Sequence, residues 1–487
     1  MKNLSLTLYA FHLRQTLTDA PDRVADDAAK LWDNLTNLGH FPGLNTLKSH
    51  LICYTNTEYT PQNEPGKQTH WLTHAQDIDL GAIATADGFK ITANLQPFRL
   101  NDTYAIDLTL SPDSPHLDIT IPQLQHFRPQ SLLPHRIQAT LGQTLWLYAE
   151  VDAQTDCASL AEKCATALLA NTPLNPSLQD QDSFFGSHLF DYLATEPSQP
   201  DNPTSQCHIL ISFNTSQSPT IELLGKAYDE LLQLLCSYHK LRYIYHQSRQ
   251  RYPEARHLYS QLEQQIQTLP NLTTNPQTRL DTLKNLLNQI PQIALDYARC
   301  LRDLRAHHTA METNITNFDT KQRNIAQIDN NIPQFWDEFL KDSQRDKQQI
   351  QTDINYLSPG QELFGQMLET VRGIVDLDQA ERDTFRRNRL RQRAFDQKLR
   401  NLELWIAVVG TGLAVSGISS QVDSQPIQTF IQNQTNSDTP ICPGAGVVKC
   451  TTYNGVNVFI HIIIAMLIAL PIGCIIQWMR DRHKRRG

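Results

Sequence analysis

The sequence predicts an α+β cytoplasmic domain followed by a long α-helical, coiled-coil stalk and two C-terminal transmembrane helices. Three observations carry that reading. Strand-like and helix-like patterns alternate over the first 215 residues. From about Ser218 long helical patterns take over, with few glycines. Two apolar segments, Leu404–Ser419 and Val456–Met479, follow this body. The expected organisation is an α/β domain over 1–215, long antiparallel helices over 216–360 and a stalk helix over 361–403. A first transmembrane helix over 404–420, an external loop over 421–455, a second transmembrane helix over 456–479 and a basic tail over 480–487 complete it.

Within the first domain, strands are predicted over Leu4–Phe11, Thr103–Leu110, Leu117–Ile121, Thr144–Val151, Ser187–Leu193 and His208–Phe213. Each is apolar or alternates with period two. Helices are predicted over Asp22–Leu38, after Pro21, and over Asp156–Asn171. Polar, proline-bearing stretches at 54–66, 111–115 and 171–182 read as loops, and 196–205 as a linker or long surface loop.

In the helical half, Ile221, Leu224, Tyr228, Leu231, Leu235 and Tyr238 fall at three-to-four spacing. Pro253, Pro270 and Pro291 punctuate this region. Leu301, Leu304, His308, Met311, Ile315, Phe318 and Ile325 follow a heptad alternation with polar Gln322 in one slot, which predicts a coiled-coil-like seam. A helix from Phe335 is expected to stop at Ser358-Pro359-Gly360. From Gln361 to about Ser420 there is no proline, so a rod on the order of 90 Å is expected.

Basic residues, mostly arginines, flank each apolar segment on one side only: Arg386, Arg387, Arg389, Arg391 and Arg393 before the first, and Arg480, Arg482, Lys484, Arg485 and Arg486 after the second. The connector carries only Lys449. This asymmetry predicts an integral membrane protein of the inner or plasma membrane with both termini cytoplasmic. The first segment is rich in small residues. Gly410, Thr411, Ala414, Ser416, Gly417 and Ser419 are its candidate pore-lining or helix-packing residues. The second is branched and greasy, suited to lipid. Two helices of one chain cannot enclose a water path, so conduction requires a homo-oligomer.

The chain has 487 residues and a net charge of −8, and without the basic flanks its body is more acidic still, which argues against nucleic acid as a partner. No secretory signal is expected, because Leu4–Phe11 reads better as a strand. Six of the nine cysteines are scattered through the body without Cys-x-x-Cys spacing and read as buried free thiols. Cys442 and Cys450 fall in the connector and either close a small disulfide loop or remain two free thiols. No phosphate loop, metalloprotease or serine-hydrolase motif is present, so the chain is not expected to be an enzyme. His239 and His246, two turns apart without a third ligand, read as core or surface residues, and adjacent His307 and His308 point apart.

This organisation, an α/β body, antiparallel long helices, a very long helix entering the first span and a second span with a basic tail, resembles the CorA-type metal-ion transporter superfamily. The likeness implies a homopentamer whose first span lines the pore, with a cytoplasmic funnel that senses magnesium. Carboxylates Asp376, Asp378 and Glu381, with Glu369 two turns earlier, resemble the family's interfacial sensors for Mg2+ or another divalent cation; a solvated helix face is the alternative. Arg482, Lys484, Arg485 and Arg486 resemble the basic ring at the inner pore mouth, or serve as a positive-inside anchor. The family's Gly-Met-Asn tripeptide is absent, and its place reads Val415–Gln421. The implied function is a CorA-like oligomeric channel or transporter for divalent cations with a large regulatory domain. The alternative is a membrane-anchored sensor or effector whose cytoplasmic domain binds a partner or small signal, with the hairpin as anchor or non-selective pore.

Overall fold

Alternation of apolar and polar residues builds one large sheet in the N-terminal half. The computed structural model describes residues 1–16, 23–65, 70–216, 218–268, 276–383, 397–404 and 406–407. Its strands are β1 (Lys2–Leu13), β2 (Tyr54–Thr55), β3 (Glu58–Tyr59), β4 (His70–Trp71), β5 (Ile78–Ala84), β6 (Lys90–Leu100), β7 (Thr103–Pro112), β8 (Gly142–Glu150), β9 (Asn175–Phe184), β10 (Ser187–Thr195) and β11 (Cys207–Asn214). Its helices are α1 (Lys30–Leu38), α2 (Leu47–His50), α3 (Pro134–Ile137), α4 (Cys157–Leu168), α5 (Thr220–Lys226), α6 (Tyr228–Thr268), α7 (Pro276–Ile328) and α8 (Gln334–Asp383).

Nine strands form the sheet, in the order β4-β6-β7-β1-β8-β11-β10-β9, with β5 also paired to β6. All pairs are antiparallel except β8 with β11. The two faces differ. Leu4, Leu6 and Leu8 of β1, Ile106 and Leu108 of β7, Leu145 and Leu147 of β8, and Ile209 and Ile211 of β11 share one apolar core with α1 and α4. The alternate positions of the same strands hold Thr7, Tyr9, Asp107, Thr109, Thr144, Trp146, Tyr148, His208, Ser212 and Asn214. All but the half-buried Thr109 are buried too, on the face where α6 packs.

Five of the six expected strands are present. The sixth, Leu117–Ile121, is irregular chain leading into a short 3-10 turn at Pro122–Phe127. Helix α4 begins one residue after Asp156, whose carboxylate caps it by accepting from the Ser159 amide at 3.2 Å. Helix α1 is shorter than the predicted Asp22–Leu38 and stops at Gly39, with φ of 60°. All six body cysteines are free and buried.

The chain divides into two compact units, Met1–Gln250 with Arg305–Ile350 and Arg251–Leu304 with Gln351–Gly487. In the second unit α8 runs straight through Ser358-Pro359-Gly360, where the sequence predicts a stop. Tyr297 of α7 supplies the reason. Its hydroxyl donates to the Leu357 carbonyl at 2.6 Å, and the Ser358 hydroxyl donates to the Ile354 carbonyl at 2.7 Å. Bare Gly360 admits the Tyr297 ring. Tertiary packing here outweighs the missing proline N–H. Helices α6 and α7 likewise continue through Pro253 and Pro291. The α7 seam is buried at Leu301, Leu304, Met311, Ile315, Phe318, Gln322 and Ile325.

The membrane part of the expected fold class is corrected. No helix among the described residues is long and apolar enough to cross a membrane. Helices α6, α7 and α8 have the length, but charged residues interrupt each of them well short of the ~20 apolar residues a crossing needs. The two transmembrane helices, the membrane assignment and the integral inner- or plasma-membrane localisation are therefore not supported. The segments read as spans, 404–420 and 456–479, lie outside the described residues apart from 404, 406 and 407.

Candidate functional site

The polar face of the sheet and the helix lying on it form the most unusual feature of the first unit. A sheet face covered by a helix is normally dry, because unsatisfied polar groups are costly to bury. Here α6 lies on a polar bed and satisfies much of it. The Tyr228 hydroxyl donates to Gln96 and, at 3.1 Å, to Asp107. The Lys240 ammonium pairs with Asp102, and Arg242 donates to Gln206.

The centre of this seam is a row of four side chains. His208 on β11 and Thr144 on β8 are register partners, which places their side chains on the same face. Thr144 Oγ1 lies 2.9 Å from His208 Nδ1 and 2.8 Å from His239 Nε2 of α6. At the other end His208 Nε2 stands 3.0 Å from Asp191 Oδ1 of β10. That is ion-pair distance without hydrogen-bond alignment, and neither atom has a hydrogen-bond partner. Tyr238 stacks on the His208 ring at 4.7 Å, and Arg242 sits over Tyr238 at 5.6 Å. Burial, then the neighbouring His208 and Arg242, hold His239 well below the usual imidazole range. Such a row can store and pass a proton. With Thr144 completely buried, it is closed to attack on a substrate.

Asp107 is a second titrating group in the seam. Burial raises it from 3.8 to about 6, against hydrogen bonds from Thr109, Tyr228 and Tyr9. A raised carboxyl binds its proton more tightly in the folded state. Its contribution to stability is present below its unfolded value and is lost as pH rises through about 6. His239 has the opposite sign. Its value is depressed, so its contribution is present above about pH 6.5 and is lost as pH falls below that.

Beside the seam, a crevice of about 580 Å³ opens at the carboxyl ends of β8 and β11. Glu150, Val151, Asp152, Asn214, Thr215 and Ile119 are among the residues lining it. The carboxyl ends of parallel strands are where open α/β sheets hold ligands, and the volume suits a small molecule. Asn214 has a double role. Its amide donates to the Ser218 carbonyl at 2.9 Å and the Tyr148 hydroxyl at 3.3 Å, and its oxygen accepts from the Ser216 amide at 3.2 Å. The Ser218 hydroxyl meets Thr220 Oγ1, at the first residue of α5, at 3.1 Å. One wall of the crevice thus holds the turn that launches α5, and α6 begins two residues after α5 ends.

Helix α6 also carries a repeat. Tyr238, Tyr245, Tyr252 and Tyr259 recur every seven residues, and Arg242, Arg249 and Arg256 follow the first three at four. Each arginine covers its tyrosine ring, at 5.6, 5.3 and 5.9 Å. In the first unit Tyr238 packs on Phe339 of α8 at 4.6 Å. Burial and then Asp342 raise Asp346 of α8 to about 6, against Arg249 and Arg345. One helix therefore reads the sheet with His239 and α8 with Tyr238.

The residues singled out in the sequence lie elsewhere. Asp376 is exposed on α8; Asp378 and Glu381 belong to the same helix, with side chains outside the described residues. No group of three or more His, Cys, Asp or Glu placed to hold a metal ion occurs among the described residues. The pore candidates Gly410, Thr411, Ala414, Ser416, Gly417 and Ser419, the basic ring Arg482, Lys484, Arg485 and Arg486, and Cys442 and Cys450 all lie outside the described residues. His239, read as a core or surface residue, is a hydrogen-bonded member of the buried row. The sequence reading missed Asp191, Thr144, His208, Asn214 and the Tyr-x-x-x-Arg repeat. No known family model, curated protein or solved structure matches the chain. The likeness to the CorA-type superfamily therefore rests on sequence organisation alone.

Proposed function

We propose that the first unit is a sensor: a small polar molecule bound in the crevice at the carboxyl ends of β8 and β11 repositions α5 and α6. This is the sensor half of the alternative reading, without the membrane anchor. The observation that carries it is Asn214, which lines the crevice and pins the turn leading into α5. The polar bed supports the same reading. Beside its buried Leu231, Leu234, Leu235, Leu241 and Ile244, α6 is held by hydrogen bonds and charge pairs that a bound molecule can rearrange.

The test is a thermal-shift screen of the full chain against amino acids, polyamines, nucleotides and sugar phosphates. A molecule present at 100 times its Kd stabilises the folded state by about 2.7 kcal/mol. The expected result is a saturable shift with at least one class, abolished in Ala153→Trp, which puts an indole on the crevice wall. A shift that survives Ala153→Trp, or none with any class, contradicts the proposal.

A further inference from the structure

The Thr144 hydroxyl has one proton and two imidazoles to satisfy. It donates to one ring, so the other ring must donate to it. With both rings neutral, Asp191 favours the proton of His208 on Nε2, which leaves Nδ1 to accept from Thr144. Thr144 in turn accepts from His239 Nε2–H. One added proton reverses the row. His208 becomes a cation beside Asp191, its Nδ1–H donates to Thr144, and Thr144 turns to donate to His239 Nε2. The His239 proton then resides on Nδ1, the atom packed most closely on Gly142.

We propose that Asp191, His208, Thr144 and His239 form a proton-binding site that sets how tightly α6 lies on the sheet. The first proton enters at His208 Nδ1, on the Thr144 side, and the resulting cation makes the 3.0 Å Asp191–His208 contact an ion pair. A second proton goes to His239. Its charged surroundings are then unfavourable: protonated His208 on β11, Arg242 on its own helix, and Lys240 already paired with Asp102. Phe11 of β1 and Tyr238 supply aromatic faces, and Phe339 of α8 packs on Tyr238 and Phe318. Asp191 neutralises the far end of the row alone. Acidification therefore drives His239 out of the seam and loosens α6. Asp107, three turns away under Tyr228, opposes this by tightening as it protonates, so the response must be read locally.

The test is hydrogen exchange by mass spectrometry on the full chain, at pH 7.5 and 5.5, with rates corrected for intrinsic chemistry. Peptides from 228–250 are compared with peptides from β1 and β7. In the wild type, exchange over 228–250 should rise severalfold at the lower pH, about tenfold being the most that one histidine of unfolded value ~6.5 can supply, while β1 and β7 stay within twofold. His208→Gln combined with His239→Gln should remove the rise and leave the opposite response of Asp107. If that variant does not fold, Thr144→Ser and Thr144→Val decide: serine keeps the hydroxyl and the response, and valine loses it. Asp191→Asn should move the response to lower pH. A wild type insensitive to pH over 228–250, or equal responses in Thr144→Ser and Thr144→Val, overturns the proposal. The response needs no molecule in the crevice and should persist in Ala153→Trp, which separates its failure from that of the sensor reading.

Discussion

Replacing Glu64 with glutamine should destabilise the first unit by about 3–5 kcal/mol. Its carboxylate is fully buried between two buried guanidiniums, accepting from Arg14 Nε at 2.7 Å and Arg99 Nη1 at 2.8 Å. Tyr104 donates to its other oxygen, and the Tyr59 and Tyr104 hydroxyls meet at 2.6 Å. Neutralising the carboxylate leaves two cations in a place that water does not reach, and that desolvation dominates the loss. Trp32, edge-on to Tyr104 at 5.3 Å, is a built-in reporter for urea unfolding. Glu64→Gln should lower the midpoint strongly. Adding Arg99→Gln should restore part of the loss, because the pair shares one network. A Glu64→Gln midpoint within 0.5 kcal/mol of wild type would mean that the two arginines find other anionic partners.

Replacing Gly142 with alanine should cost about 3 kcal/mol or more, from two sources. Its φ of 123° is a conformation that residues with a Cβ adopt only under strain, and the new Cβ would stand 2.7 Å from His239 Nδ1. The ring sits against backbone on one side and is tied to Thr144 on the other, so relief requires α6 to move. The expected signature is a loss of stability together with faster exchange over 228–250. His239→Ala in the same chain should recover the steric part and leave the backbone part. No recovery would place the whole cost in the backbone.

The parts of the fold that were legible in the sequence are those where local pattern and environment agree. Strands β1, β7, β8, β10 and β11 carry apolar residues at every second position because one face meets the core. Strand β9 takes the place of the loop expected over 171–182; it is an edge strand exposed over much of its length, with Pro176, Gln179, Asp180 and Asp182 in it. Edge strands carry polar and charged residues that discourage further pairing, and this erases the hydrophobic signal. Strands β5 and β6 do alternate, at Ile78 and Leu80 and at Ile91, Ala93 and Leu95, so their signal is present in the sequence. Helix α8 crosses Pro359 through contacts with Tyr297, sixty residues away, which no local rule supplies.

The functional row was illegible for a related reason. Thr144, His208 and Asn214 occupy the polar phase of strands whose other phase is core, the usual mark of a solvent face. Only burial under α6, a helix that starts after the last strand, turns them into a connected interior row. The Tyr-x-x-x-Arg heptads were open to view. Their spacing marks a helix face with a repeated duty, and each arginine–tyrosine contact contributes about 0.5–1 kcal/mol at an exposed position.

The central claim is that the crevice wall and α6 are coupled through Asn214. A coupling is a free energy shared by two sites, so a four-way comparison measures it. Hydrogen exchange over 220–250 is followed in the wild type, Ala153→Trp, Asn214→Ala and the double variant, at constant pH. The account predicts that Ala153→Trp changes exchange over 220–250 at least tenfold when Asn214 is present and less than twofold when it is alanine. Exchange that is indifferent to Ala153→Trp, or that changes equally with and without Asn214, would contradict it.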